Sequence, residues 1–190
     1  LFNSSNKLIY CPTYVSGEVT INEGETFDKY AFEDCANITK IVIGSGITTI
    51  PQYAFVNCKK LETVVLPDTV TTIDTYAFSE CESLKNIVIP KSVVKIGNYA
   101  FKNCVSLTRI DISSVTTAEK SNNFGTYIFY GCTSLKNVTL PTEITSIPTS
   151  TFYDCTSLES IVIPEGVTLI STNAFFNCEN LKTVVLPSTL

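Results

Sequence analysis

Eight cysteines in a chain without histidine are the residues best placed to do chemistry. A thiolate can ligate a metal, attack a carbonyl or pair as a disulfide. Seven of the eight are Cys35, Cys58, Cys81, Cys104, Cys132, Cys155 and Cys178, at spacings of 23 residues except for one of 28. There is no C-x-x-C pair and no imidazole, so zinc-ligand spacings are absent. Neither a Ser-His-Asp nor a Cys-His arrangement can be assembled, and the carboxylates are scattered. The sequence therefore points to a protein that is not an enzyme and has no cofactor and no metal site. If the cysteines stack in successive turns of the chain, their side chains point the same way. Equivalent Cβ atoms would then lie about 5 Å apart, beyond the usual 3.5–4.5 Å or so of a disulfide. The seven read best as buried thiols packing as small apolar groups. Cys11 lies outside the series, in the apolar stretch Leu8-Ile9-Tyr10-Cys11. For it, both a buried thiol and a pair with Cys35 remain open.

The period says what positions these thiols. A fixed repeat of this size is the mark of a solenoid, in which each coil buries its apolar side only against its neighbours. In the coil from Leu61, apolar residues stand at positions one, four and six (Leu61, Val64, Leu66), which is the strand of a leucine-rich repeat. Pro67 ends that strand, having no amide donor and a fixed φ. Val70 and Ile73 turn back inside, and Tyr76-Ala77-Phe78 leads to Cys81. Phe78, Cys81 and Leu84 fall three apart, which predicts a short helical or 3₁₀ turn. Eight parallel strands are expected, centred on Val19–Ile21, Ile41–Ile43, Val64–Leu66, Ile87–Ile89, Ile110–Ile112, Val138–Leu140, Ile161–Ile163 and Val184–Leu186. Phe32, Phe55, Phe78, Phe101, Phe129, Phe152 and Phe175 should form a buried spine. The expected fold class is an α/β solenoid: a right-handed leucine-rich repeat coil with a parallel sheet on the concave side and short helical or 3₁₀ turns on the convex side. Residues 1–30 read as a capping segment and first irregular coil, and 31–190 as the solenoid, with an irregular 28-residue coil at 105–132.

The pattern L-x-x-I-x-I-P-x-x-V-x-x-I-x-x-Y-A-F-x-x-C resembles the BspA-like leucine-rich repeats of bacterial and protozoan surface proteins, coil by coil from Ile41 to Leu190. The resemblance implies a cell-surface or secreted adhesin that recognises a protein ligand, either a host matrix protein or a partner on another cell. Two other readings stand beside it: a structural protein stacking end to end, and an intracellular scaffold, whose reducing surroundings would suit eight thiols.

Composition narrows the partners. The net charge is −5, and Arg109 is the only arginine among 13 basic residues. No basic stripe exists, which argues against nucleic acid. No apolar run approaches a membrane span. The chain begins at Leu1 and its last coil shows no polar cap, so further coils or another chain are expected at that end. Six acidic residues between Glu18 and Asp34 suit a polar terminal cap.

The binding candidates lie on the strands, where positions two, three and five should face outward on the concave side. Position five reads Thr20, Val42, Val65, Val88, Asp111, Thr139, Val162 and Val185. A column of exposed valines suits an interaction face, and equally the strand preference of β-branched residues. Arg109 and Asp111 interrupt it, and arginine is enriched at interface hot spots. The candidate ligand-binding set is therefore Val42, Val65, Val88, Arg109, Asp111, Thr139, Val162 and Val185. Position two places Lys136, Glu159 and Lys182 side by side, which predicts cross-strand ion pairs. The polar insertion Ala118–Asn123 should bulge, either as a binding loop or as a tolerated surface loop. Sequons at Asn3, Asn37 and Asn137 are possible glycosylation sites, at about the frequency chance gives. A glycan on Asn137 would block that part of the face.

Overall fold

Each coil carries two phenylalanine-to-cysteine features that decide its architecture: where its amides donate, and what its rings touch. The computed structural model describes residues 7–115 and 123–190. From Tyr53 to Cys58 the amides alternate between two kinds of acceptor. Those of Tyr53, Phe55 and Asn57 donate to Thr75, Ala77 and Ser79 in the next coil, while those of Ala54, Val56 and Cys58 close turns onto Pro51, Tyr53 and Phe55. The same alternation recurs from Tyr76 to Cys81.

This alternation corrects the expected fold class. The turns are neither α-helical nor 3₁₀, and the described residues contain strands and turns but no helix. The protein is a β-solenoid rather than an α/β one. A helix must place every interior amide on a carbonyl of its own segment; here every second amide is committed to the neighbouring coil instead. The chain meets that demand with two left-handed residues per coil. Tyr53 and Asn57 have φ of 58° and 60°, and Tyr76 and Glu80 have 57° and 62°. Such values are uncommon for non-glycine residues. They persist because the coil on each side fixes the backbone by hydrogen bonds.

All ladders are parallel. Ser16–Ile21 pairs with Asn37–Ile43, which pairs with Thr63–Val65; Arg109–Asp111 pairs with Asn137–Thr139, and Ser160–Val162 with Thr183–Val185. Seven of the eight expected strands form. Ile87–Ile89 does not: it shares the apolar pattern of its neighbours but makes no ladder with either. A second set of two-residue strands runs alongside. Thr49–Ile50, Thr72–Ile73 and Lys95–Ile96 form one ladder, and Ser146–Ile147 with Leu169–Ile170 another. At the N-terminal end Lys7–Leu8 pairs with Thr26–Phe27.

The core is one continuous apolar column. Phe32 to Phe152 are fully buried, and Phe175 packs partly buried at the end. Successive rings stack at 5.0 to 5.8 Å, from Phe32–Phe55 to Phe101–Phe129. Beside this spine runs a tyrosine stack that the sequence pattern did not announce. Tyr30, Tyr53, Tyr76, Tyr99 and Tyr127 lie face to face at 4.6 to 4.8 Å. After Tyr127 the stack steps sideways to Tyr130, Tyr153 and Phe176.

The 28-residue coil leaves the spine intact. Tyr99, Phe101 and Asn103 still donate to the next coil, at Thr126, Ile128 and Tyr130. Of the expected bulge Ala118–Asn123, residues 118–122 lie outside the described residues.

Candidate functional site

The ladder cysteines are the first residues to place. Each of Cys58, Cys81, Cys104, Cys132, Cys155 and Cys178 points its thiol at the carbonyl oxygen of the preceding coil's spine phenylalanine, at 3.1 to 3.2 Å. That carbonyl also accepts the turn-closing amide of its own coil, as Phe55 does from Cys58. The thiol thus fills the second lone pair of a buried carbonyl. Burial pushes the thiols of Cys58 and Cys132 up to about 12 and that of Cys178 to about 11. It raises Cys81, Cys104 and Cys155 well above the ordinary value. Thiols held neutral in this way are poor nucleophiles and poor metal ligands. All eight cysteines are free, and among the described residues no group of three metal-ligating side chains converges.

The outward face of the strands holds the sequence-predicted set. Register pairs Val42 with Val65, Arg109 with Asn137, Asp111 with Thr139, and Val162 with Val185. All are exposed except Val42, which is half-buried. The set is not one continuous column, because the sheet is divided. Ladder bonds stop after Thr63–Val65, are absent at Ile87–Ile89, resume at Arg109–Asp111, and break again between Thr139 and Ser160. Two apolar stretches therefore flank a polar centre made by Arg109, Asp111, Asn137 and Thr139.

A cavity of about 880 Å³ opens at the first division, lined by Val88, Arg109, Asp111 and Thr139 from the predicted set. It adds residues the sequence did not single out: Asp68, Asn86, Lys91, Ser113 and Ser114. Asn86 had a legible signal, since it stands at position three beside Arg109 as Asn137 does on the other side. Val88 is 81% exposed against 44% for Val65, which has a laddered strand beneath it. The amides of Asn86, Ile87, Val88 and Ile89 donate to neither neighbouring coil. A main-chain donor without a partner is costly unless water or a ligand reaches it, and the cavity supplies that access.

The charges around the opening are unequal in their freedom. Asp111 is committed locally: the Ser113 side chain and the Ser113 amide, at 2.9 Å, bond its carboxylate and hold its pKa below the ordinary value. Arg109 is exposed and forms no ion pair among the described residues. The expected pairing of Lys136, Glu159 and Lys182 is not formed. Comparable pairs form elsewhere on this face, with a ladder and without one: Lys40 meets Glu18 at 3.3 Å across laddered strands, and Lys85 meets Glu62 at 3.2 Å across the first division.

Of the possible glycosylation sites, Asn37 and Asn137 are exposed at the starts of strands, and Asn3 lies outside the described residues. The Asn37 side-chain oxygen accepts from Lys60 at 2.9 Å, and Asn137 lines the cavity. At the last coil Phe176, Val184, Val185, Leu186 and Leu190 are exposed.

The family model of the BspA type leucine-rich repeat region matches residues 25–125 and 111–190, in six copies. The fold is similar to that of a leucine-rich repeat protein from Bacteroides ovatus, with a TM-score of 0.81 and 31% identity over 90% of this chain and 46% of that one. It is also similar to a leucine-rich repeat protein from T. pallidum, with a TM-score of 0.78 and 25% identity over 95% of this chain and 86% of that one. A leucine-rich cell surface protein from Faecalibacterium prausnitzii aligns with a TM-score of 0.50 and 28% identity over 87% of this chain and 58% of its own. The chain spans less than half the length of the Bacteroides protein. No curated protein matches the chain. Members of the matched family are characteristically non-catalytic adhesion or scaffold proteins, in keeping with thiols that are buried and neutral here. By its sixfold repeat match and its stacked coils, the chain belongs to the BspA-type leucine-rich repeat family.

Proposed function

We propose that the protein is a surface-displayed or secreted recognition module that binds a protein ligand on the outward face of its strands. The observation that carries this reading is a coincidence of place. The interruption of the sheet, the cavity and the only arginine of the chain lie together at Asn86–Asp111. The occupant is an extended peptide segment bearing an acidic side chain. Its carboxylate would meet Arg109 in the two-pronged geometry that guanidinium favours. Its main chain would meet the free amides of Asn86–Ile89 and the carboxamides of Asn86 and Asn137. Val65 and Val88 would supply apolar contact on one flank, and Val162 and Val185 on the other. The likeness to a cell-surface protein supports placement outside the cell.

Binding to a panel of immobilised, purified matrix proteins tests the reading. A chain carrying Val65→Ser, Val88→Ser and Arg109→Ala together should bind its partner at least about tenfold more weakly, a loss of about 1.4 kcal/mol. Unaltered binding by that triple variant would remove the face from consideration.

A further inference from the structure

Cys11 occupies the place of a spine phenylalanine. In the regular coils, the amide of each spine phenylalanine donates to the alanine carbonyl one coil on, as Phe32 does to Ala54 and Phe55 to Ala77. The carbonyl of that same phenylalanine receives the next coil's thiol, as Phe32 receives Cys58. Cys11 makes both bonds. Its amide donates to Ala31 at 2.6 Å, and the Cys35 thiol lies 3.4 Å from its carbonyl oxygen. The side chain of Cys11 therefore projects from the slot of a ring, not from the slot of a ladder cysteine.

That difference removes the bar to a disulfide. Ladder cysteines cannot pair because equivalent side chains run parallel and their Cβ atoms stay too far apart. Cys11 and Cys35 are not equivalent, and their thiols approach one acceptor from two sides of the chain: the Pro12 carbonyl oxygen lies 3.9 Å from the Cys11 sulfur and 3.7 Å from that of Cys35. Both are buried. Of the two, Cys11 is the more accessible, 6% exposed against 0% for Cys35, and so is the first to meet an oxidant. It also sits on the lightly held N-terminal segment, whose ladder is the two-residue pairing of Lys7–Leu8 with Thr26–Phe27. Local opening there needs few bonds to break.

We propose that Cys11 and Cys35 are a disulfide-forming pair that fastens the N-terminal segment to the first coil, with a small-molecule disulfide such as oxidised glutathione as the oxidant. The Cys11 thiolate attacks one sulfur of the small disulfide, forming a mixed disulfide and releasing one thiol. The Cys35 sulfur, losing its proton to solvent, then attacks the Cys11 sulfur and expels the second small thiol. The two protein thiols are oxidised and one small disulfide is reduced to two thiols, so atoms and electrons balance. The pairing is independent of the recognition face and stands or falls separately.

The folded chain, incubated with oxidised glutathione and then quenched in acid, provides the test. Mass spectrometry should show the loss of two hydrogens, with six of the eight thiols still titratable after denaturation. Digestion without reduction should yield a peptide joining Cys11 to Cys35. A chain that keeps all its thiols under these conditions, or that links ladder cysteines to one another, would overturn the proposal. A Cys11→Ser variant with unchanged circular dichroism should keep its full mass; if it too loses two hydrogens, the assignment is wrong.

Discussion

The two sides of each coil obey different rules. On the turn side three kinds of link from coil to coil are kept: spine phenylalanine stacks on phenylalanine, thiol meets carbonyl, and alternate amides reach across. These links continue through the 28-residue coil, where Tyr99 and Tyr127 still stack at 4.6 Å and Cys132 still reaches Phe101 at 3.1 Å. On the strand side the ladder is divided twice, within an otherwise similar apolar pattern. The turn side thus holds the register of the solenoid, and the strand side is left free to vary. A chain built this way can change what it binds without changing how it stands.

The comparison breaks most severely if a spine ring is removed. Phe101 is fully buried and stacked on both sides, by Phe78 and Phe129. Phe101→Ala should cost about 3–5 kcal/mol, read by chemical denaturation. A cost near that of a surface substitution would show that the spine does not carry the coils.

Alkaline pH tests the thiol ladder next. Cys58 and Cys132 ionise near 9.0 when unfolded but are pushed up to about 12 by burial in the fold. A raised folded value means that the native state holds the proton more tightly. The stabilisation is then fully present below pH 9.0 and is lost as pH rises towards about 12. The melting temperature should fall steeply across that window. A Cys58→Ala, Cys132→Ala chain, less stable at neutral pH, should show a shallower decline.

A smaller effect is expected in the tyrosine stack. Tyr76 lies between Tyr53 and Tyr99 at 4.8 and 4.6 Å. Tyr76→Ala should lose about 1–2 kcal/mol, because each aromatic contact contributes about 0.5–1.5. The smallest effect belongs to the strand face. Val88→Ser and Arg109→Ala should change stability by less than about 0.5 kcal/mol while weakening ligand binding, which separates recognition from folding.

The sequence announces what the side chains do and is silent on the backbone. The 23-residue period and the run of phenylalanines are legible because they are fixed by residue type. The helical expectation failed because the spacing of Phe78, Cys81 and Leu84 suits a 3₁₀ turn and a series of stacked β-turns equally. The destination of every second amide is a property of the next coil, not of the local segment. The tyrosine stack was hidden for the same reason: a left-handed φ at Tyr53 is uncharacteristic of tyrosine and is imposed by neighbours. At the candidate site, Val88, Asp111 and Thr139 could be named from their column, and Arg109 as the only arginine of the chain. The division of the sheet could not, because Ile87-Val88-Ile89 has the same pattern as Val64-Val65-Leu66, whose strand is paired.

Amide hydrogen exchange, resolved residue by residue, tests this division of roles most directly. The amides of Phe78 and Phe101 should be strongly protected, since they donate to Ala100 and Ile128 across the coils. Those of Asn86, Val88 and Ile89 should exchange rapidly and become protected when the protein ligand binds. Protection of Asn86–Ile89 in the free protein equal to that of Thr63–Val65 would contradict the account, because the strand face would then be as fully laddered as the turn side.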